Sequence, residues 1–264
     1  MTATLISAAF AGLLFAGILF CMRMGWHIGR KRLRSCGGEE TGGLGVIDGA
    51  VFGLLGLLIA FTFTGAATRF EARRTLVTNQ LNAVGTAWLR LDLLPEPEKT
   101  MVRESFKKYI DTQMEIVGSV RTTLAGQENA TVQEGLRRLS EDQQEVWDAL
   151  IVAVEKESRL PLAQTVLPAM NEVFDLTTVR MMAALQHPPL AVYLLLAVLV
   201  LASALLAGFG MAKSAEQSVL HLVVFAVIIS ASVYLILDIE HPRLGLITIE
   251  SMNQSMIDLR KGMD

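Results

Sequence analysis

The sequence predicts an all-α membrane protein: four transmembrane helices, with an extramembrane antiparallel helical bundle inserted between helices 2 and 3. The 264-residue chain is 52% hydrophobic and only 19% charged, with a mean hydropathy of +0.45. That is too apolar for a soluble protein of this length. The excess is concentrated in four runs without Asp, Glu, Lys or Arg, each reaching the ~20 residues that a bilayer requires. The segment between the second and third runs is rich in charge.

The four runs define the predicted transmembrane helices and the domain boundaries. They are Thr2–Met22, Gly49–Thr68, Pro188–Ala212 and Gln217–Leu237. We interpret the first as a retained helix rather than a signal peptide, because Met1–Ala9 has no basic residue and the apolar stretch is too long. The predicted domains are residues 1–68 (two helices and a basic loop), 69–187 (the bundle), 188–238 (two helices) and 239–264 (a C-terminal tail).

The bundle is predicted from apolar residues at the spacing of one helix face. Val77, Leu81, Val84, Trp88 and Leu91 recur at steps of three and four residues. Three further stripes lie within residues 102–120, 132–154 and 166–185, and prolines separate or follow them at positions 95, 97, 161 and 188. Four amphipathic helices with short connections pack most simply as an antiparallel bundle, whose core the stripes would form.

Composition and motifs exclude several classes of protein. The formal net charge of −3 argues against a nucleic-acid partner, which would require a basic surface. Two cysteines and four scattered histidines match no zinc site. No nucleophile–base arrangement or phosphate-binding loop is present. We therefore predict a protein that is not an enzyme and that has no cofactor and no metal.

The second predicted helix carries the strongest functional signal. Gly49, Gly53 and Gly56 are spaced by four and three residues, which predicts close helix packing in lipid. Four large apolar side chains share another face of the same helix, and in a ring of subunits they would form an apolar constriction that gates by dewetting. These predicted pore-lining residues are Phe52, Leu55, Ile59 and Phe63.

Charged residues flank this helix at both ends. Asp48 lies at its start, where a carboxylate either caps the helix or binds an ion. Arg69 and Arg73 lie at its other end, and two interpretations stay open for them. They reach lipid phosphate groups at the membrane surface, or, in an oligomer, they ring a vestibule and concentrate anions.

Orientation is predicted from the basic residues of short loops. The loop after the first helix carries five of them, and those on the other side are nearly as numerous. The first-loop residues are Arg23, Arg30, Lys31, Arg32 and Arg34. The dense cluster at 30–34 favours a cytoplasmic loop, which places the bundle in the periplasm if the membrane is a bacterial inner membrane.

Three stretches of the sequence are similar to a known family. They are residues 49–74, which include GAATRFEARR at 65–74; NAVGTAWLRLDLLP at 82–95; and DIEHPRLGLI at 238–247. Together they resemble a family of bacterial membrane proteins described as bestrophin-like. The resemblance covers nearly the whole chain in order.

A more distant resemblance links this family to the bestrophin anion channels. It implies a homo-oligomer, a pentamer around one axis, in the bacterial inner membrane. It also implies that the second helix lines a pore, with Phe52, Leu55, Ile59 and Phe63 at its neck. The expected partners are membrane lipid, further copies of the chain and small anions. The alternative is a non-conducting sensor or scaffold protein that acts through its bundle, because no ion-coordinating residues are evident.

Overall fold

A computed structural model of the chain describes residues 2–35, 44–122, 128–155, 159–213, 219–240 and 250–263. Within these ranges, every regular element is helical. The helices are α1 (Thr2–Ser35), α2 (Leu44–Arg90), α3 (Glu98–Thr122), α4 (Glu128–Val154), α5 (Leu160–Leu185), α6 (Leu190–Gly210), α7 (Val219–Glu240) and α8 (Glu250–Lys261). Residues 241–247, the end of the third family-like stretch, lie outside the described residues.

Four of the described helices are long and apolar enough to cross a membrane. The candidate spans are Ala8–Ser35, Gly45–Leu93, Leu190–Gly210 and Val219–Glu240. They belong to α1, α2, α6 and α7 and contain most of each predicted run. The prediction of an all-helical, multi-pass membrane protein is therefore confirmed.

The first of two compact units comprises Met1–Phe70 and His187–Ile247. Its apolar core is formed where α1 packs against α6 and α7. Ile18, Val200 and Ala226 are fully buried there. Because lipid tails are as apolar as these side chains, it is close van der Waals packing between the helices, rather than a hydrophobic effect, that associates them.

Helices α1 and α6 touch backbone to backbone. A Cβ atom added to Gly25 would lie 2.0 Å from the carbonyl oxygen of Leu205, and one added to Gly208 would lie 1.9 Å from that of Met22. Real Cβ contacts are never this short, so only glycine fits at either position. The close approach allows extensive van der Waals contact, the main source of helix association in lipid.

Helix α1 continues past its predicted end. It runs to Ser35, so Arg23, Arg30, Lys31, Arg32 and Arg34 lie on the helix and not in a loop as expected. Arginine, lysine and leucine are good helix formers, and no proline interrupts this stretch. The hydropathy pattern marks where apolar residues end, which here comes more than three turns before the helix ends.

The second compact unit comprises Glu71–Gln186 and Thr248–Asp264. One apolar core takes residues from the C-terminal part of α2 and from α3, α4 and α5, with Tyr109, Phe106, Leu150 and Met170 among the most deeply buried. Proline 161, predicted as a break, lies in the first turn of α5, where its missing N–H costs nothing.

Side-chain contacts give the register of two helix pairs in this unit. Between α3 and α4, Lys108 pairs with Glu145 and Glu115 pairs with Arg138, so the two helices run in opposite directions. The same holds for α2 and α5, where Gln80 contacts Thr177 and further along Arg90 donates to the carbonyl oxygen of Thr165.

The C-terminal tail contributes to the second unit. Met263 is buried in its core and Leu259 packs against that core. The Arg260 guanidinium donates to both carboxylate oxygens of Asp111 on α3, at 2.8 and 2.9 Å. Helix α8 therefore packs within the second unit.

A polar group lies within the bundle core. The Thr177 hydroxyl oxygen lies 2.9 to 3.0 Å from side-chain donors of Gln80, Tyr109 and Gln113, two of which it can accept from at once, and it donates to the carbonyl oxygen of Val173. Burial raises the pKa of Tyr109 to about 12. Buried polar groups that hydrogen-bond across helices in this way fix which helices meet.

Candidate functional site

Helix α2 is the least covered of the four membrane-spanning candidates. Only 6% of the residues in its most apolar stretch are buried, against 28% for α1, 22% for α6 and 28% for α7. An apolar helix that its own subunit leaves open has room for lipid or for another copy of the chain. The candidate site is therefore the membrane part of α2 and the polar contacts at its end.

The covered side of α2 holds most of the predicted pore-lining residues. Leu55 is 3% exposed in the first unit's core, and Ile59 packs against that core. Phe52 makes an edge contact with Phe225 of α7, with ring centroids 6.4 Å apart. Phe63 is the exception, at 40% exposed. Leu55, against expectation, points into its own subunit, because this edge of α2 is the one that packs on the other helices.

The predicted packing glycines lie on the open side. A Cβ atom added to Gly49, Gly53 or Gly56 would meet no other atom within 4 Å, apart from the helix's own backbone. These glycines therefore do not bring α2 close to another described helix of the subunit. Close packing against a second copy remains a prediction. Ala60, two turns beyond Gly53, is also exposed.

A buried ion pair attaches the end of α2 to the end of α7. The Arg69 guanidinium donates from Nε and Nη2 to the Glu240 carboxylate, at 3.0 and 2.8 Å from Oε2. The Glu240 side chain is fully buried and that of Arg69 is 31% exposed. His187 Nδ1 lies 3.3 Å from the other carboxylate oxygen. With a further bond from Nε to Oε1, at 3.1 Å, the guanidinium contacts both carboxylate oxygens, and charge-assisted bonds of this kind are stronger than neutral ones.

The Arg73 side chain is held by backbone carbonyl oxygens of its own subunit. It is 8% exposed and donates to the carbonyl oxygens of Ala183, at 3.1 Å, and Gln186, at 2.8 Å. These belong to the C-terminal end of α5, whose last carbonyls have no partner within the helix. The role of Arg73 in a vestibule stays a prediction. Arg69, the other predicted vestibule residue, stays partly exposed.

Sequence reasoning missed Glu240. It lies 171 residues from Arg69, and no local pattern joins the two. One signal was available, because Asp238 and Glu240 directly follow a long run without charge. A carboxylate at the end of such a run is costly in lipid unless it is paired, so a partner among the basic residues near other helix ends could have been sought.

Two comparisons with known proteins match most of the chain. The family model for the bestrophin-like domain matches residues 44–253. Among solved structures, the fold is similar to that of a point mutant of a bacterial bestrophin homolog from Klebsiella pneumoniae. The TM-score is 0.60 at 15% identity, over 94% of this chain and 98% of that one. No curated protein matches the sequence. Because the family model covers well over half of the residues, the chain belongs to the bestrophin-like family.

Proposed function

We propose that the protein is an oligomeric ion channel of the bacterial inner membrane in which α2 lines the pore. The observation that carries this proposal is that α2, although apolar, leaves its glycine-bearing side uncovered within its own subunit. Membership of the bestrophin-like family supports it. The resemblance to bestrophins proper suggests five copies around one axis.

The proposed pore surface is the open side of α2. At ~100° per residue, Gly49, Gly53, Gly56 and Ala60 lie along one side of the helix. Small residues there would let helices from several copies converge on an axis without closing it. Phe63 lies next to this side and is exposed, so its ring would supply an apolar constriction. This shifts the proposed path away from Leu55.

Anions are the proposed permeant ions. Helix α2 has no acidic residue between Asp48 and Glu71, so its membrane part offers nothing to bind a cation. At its end, the partly exposed guanidinium of Arg69 is positioned by Glu240. This pair lies on the covered side of α2, opposite the glycines, so the proposal of anions rests on the missing carboxylates and on the resemblance to the bestrophin anion channels. Chloride is the first ion to test.

The proposed orientation places the bundle in the periplasm. The basic end of α1 favours the cytoplasm by the positive-inside rule. Because α2 crosses the membrane once between the end of α1 and the bundle, the bundle then lies on the opposite side. An Asp148→Cys variant on a Cys21→Ser/Cys36→Ser background should react with a membrane-impermeant maleimide on intact spheroplasts. Labelling only after lysis would reverse the orientation.

Conduction and its path can be tested in one experiment. Liposomes that contain the purified protein and are loaded with chloride should release chloride faster than liposomes without protein. Planar bilayers should show an anion-selective reversal potential.

The path is tested with the variants Gly56→Cys and Leu55→Cys, both on the Cys21→Ser/Cys36→Ser background. Each is treated with a charged thiol reagent, and the block of chloride efflux is compared. Block of Gly56→Cys alone supports the open-side path. Block of Leu55→Cys alone would restore the path predicted from sequence. Silence of all variants and wild type would favour the sensor or scaffold alternative.

A further inference from the structure

The last turns of α1 carry a row of basic side chains. Arg23, His27, Arg30 and Arg34 recur at steps of four, three and four residues, the spacing that places side chains on one side of a helix. The row spans about 16 Å at ~1.5 Å per residue. It begins directly after the apolar run that ends at Met22, where the hydrocarbon layer must give way to lipid headgroups.

The row points away from the other helices of its unit. Gly25 and Gly29 press the opposite side of α1 against α6, at Leu205 and Phe209. Arg23, His27 and Arg34 are exposed, and Arg30 is half-buried. The close glycine contact therefore fixes the rotation of α1, so that the basic side chains face outward.

Trp26 holds part of the row in place. The Arg30 guanidinium lies over the indole ring, 4.6 Å from its centroid. The His27 ring meets the same indole edge-on at 5.2 Å, and its Nδ1 lies 2.9 Å from the backbone oxygen of Arg23. Cation–π contact restricts the arginine before any ligand arrives. Tryptophan itself is favoured at the level of the headgroups.

We propose that this row, residues 23, 27, 30 and 34, binds the phosphate groups of anionic phospholipids. Guanidinium groups match phosphate oxygens in charge and in paired hydrogen-bond geometry. Basic residues immediately beside a membrane-spanning helix are attracted to anionic headgroups. Four basic side chains spread over about 16 Å are more than a single free phosphate ion can contact at once. The site is independent of ion conduction.

The test measures thermal unfolding of the detergent-purified full-length protein with added short-chain lipid. Dioctanoyl phosphatidylglycerol should raise the Tm, and dioctanoyl phosphatidylcholine should not. The row variant Arg30→Gln/Arg34→Gln should lose at least half of that rise. The control Lys31→Gln/Arg32→Gln removes the same charge one residue away, off the row, and should keep the rise. Inorganic phosphate at equal concentration should have no effect.

Several results would overturn the proposal. Equal loss in both double variants would mean diffuse attraction rather than a site. An equal Tm rise with phosphatidylcholine would remove the role of headgroup charge, and a rise with inorganic phosphate would indicate a soluble ligand. If Arg30→Gln/Arg34→Gln lowers the Tm without lipid, Arg23→Gln/Arg34→Gln, which leaves the Trp26 contact intact, must show the same lost response.

Discussion

Glycines four residues apart occur in both α1 and α2, yet the structure uses them in opposite ways. A Cβ atom on Gly25 or Gly29 would collide with α6, at 2.0 and 2.8 Å, whereas one on Gly49 or Gly53 would meet nothing within 4 Å. Glycine costs about 1 kcal/mol relative to alanine within a helix. In α1 the contact with α6 offsets that cost. In α2 no described contact within the subunit does so, and the uncovered glycines form the side that we propose to line the pore.

The largest expected effect is at the α1–α6 contact. Gly25→Ala would place a methyl group against the backbone of Leu205 and force the two helices apart. Overpacking of this kind costs ~3 kcal/mol, which lowers the Tm by roughly 10 °C for a chain of this size. Thermal unfolding of the variant in detergent measures this fall in Tm.

The matched control is Gly12→Ala in the same helix, where an added Cβ atom meets nothing within 4 Å. It should leave the Tm unchanged or raise it. Equal destabilisation by the two substitutions would mean that the close contact between α1 and α6 is not what makes Gly25 necessary.

The second effect concerns the ion pair that attaches the uncovered helix to its own unit. Glu240→Gln removes the negative charge from a fully buried site and leaves Arg69 partly unpaired. Breaking a buried pair costs ~4 kcal/mol. Partial exposure of Arg69 reduces this to roughly 2 kcal/mol by screening. Unfolding by urea or by heat should show this loss of stability in Glu240→Gln relative to the wild type.

Glu71→Gln provides the comparison, because its pair with Arg74 is exposed on both sides. Such surface pairs contribute ~0.5 kcal/mol. If Glu71→Gln and Glu240→Gln destabilise the protein equally, the attachment of α2 at Glu240 has been overestimated.

A third prediction concerns a hydrogen bond between two side chains of the bundle core, in contrast to the backbone contact between α1 and α6. Tyr109→Phe removes the hydrogen bond to Thr177 in the bundle core while keeping the ring. The expected cost is about 1 kcal/mol. Because the pKa of Tyr109 is raised to about 12, the hydroxyl remains a donor at neutral pH and the cost should not change between pH 6 and pH 9. A pH-dependent cost in that range would contradict this assignment.

The smallest expected effect on stability is at the open side of α2. Gly53→Ala/Gly56→Ala adds methyl groups to empty space, so helix propensity should hold the Tm or raise it slightly. Chloride efflux from liposomes should nevertheless fall, because the added groups narrow the proposed path. A large drop in Tm with unchanged efflux would place these glycines in a contact within the subunit.

Hydropathy predicted the four spanning helices because each apolar run reflects a requirement of the bilayer itself. It did not predict that α1 reaches Ser35, since charged helix formers extend a helix without extending the apolar run. The side of α2 facing its own subunit could not be predicted either. Leu55 and Leu57 are equally apolar, and only contact with α7 and its neighbours decides that Leu55 is covered. The pair Arg69–Glu240 depends on tertiary structure in the same way.

That pair also has a consequence for synthesis. The ribosome completes Arg69 well before Glu240, and the 171 residues added up to Glu240 take about ten to thirty seconds to translate. Throughout that interval the Arg69 guanidinium lacks the α7 carboxylate that accepts its hydrogen bonds in the folded protein. A chain cut short before α7 keeps this unmatched cation at the membrane, a defect that cellular quality control can recognise.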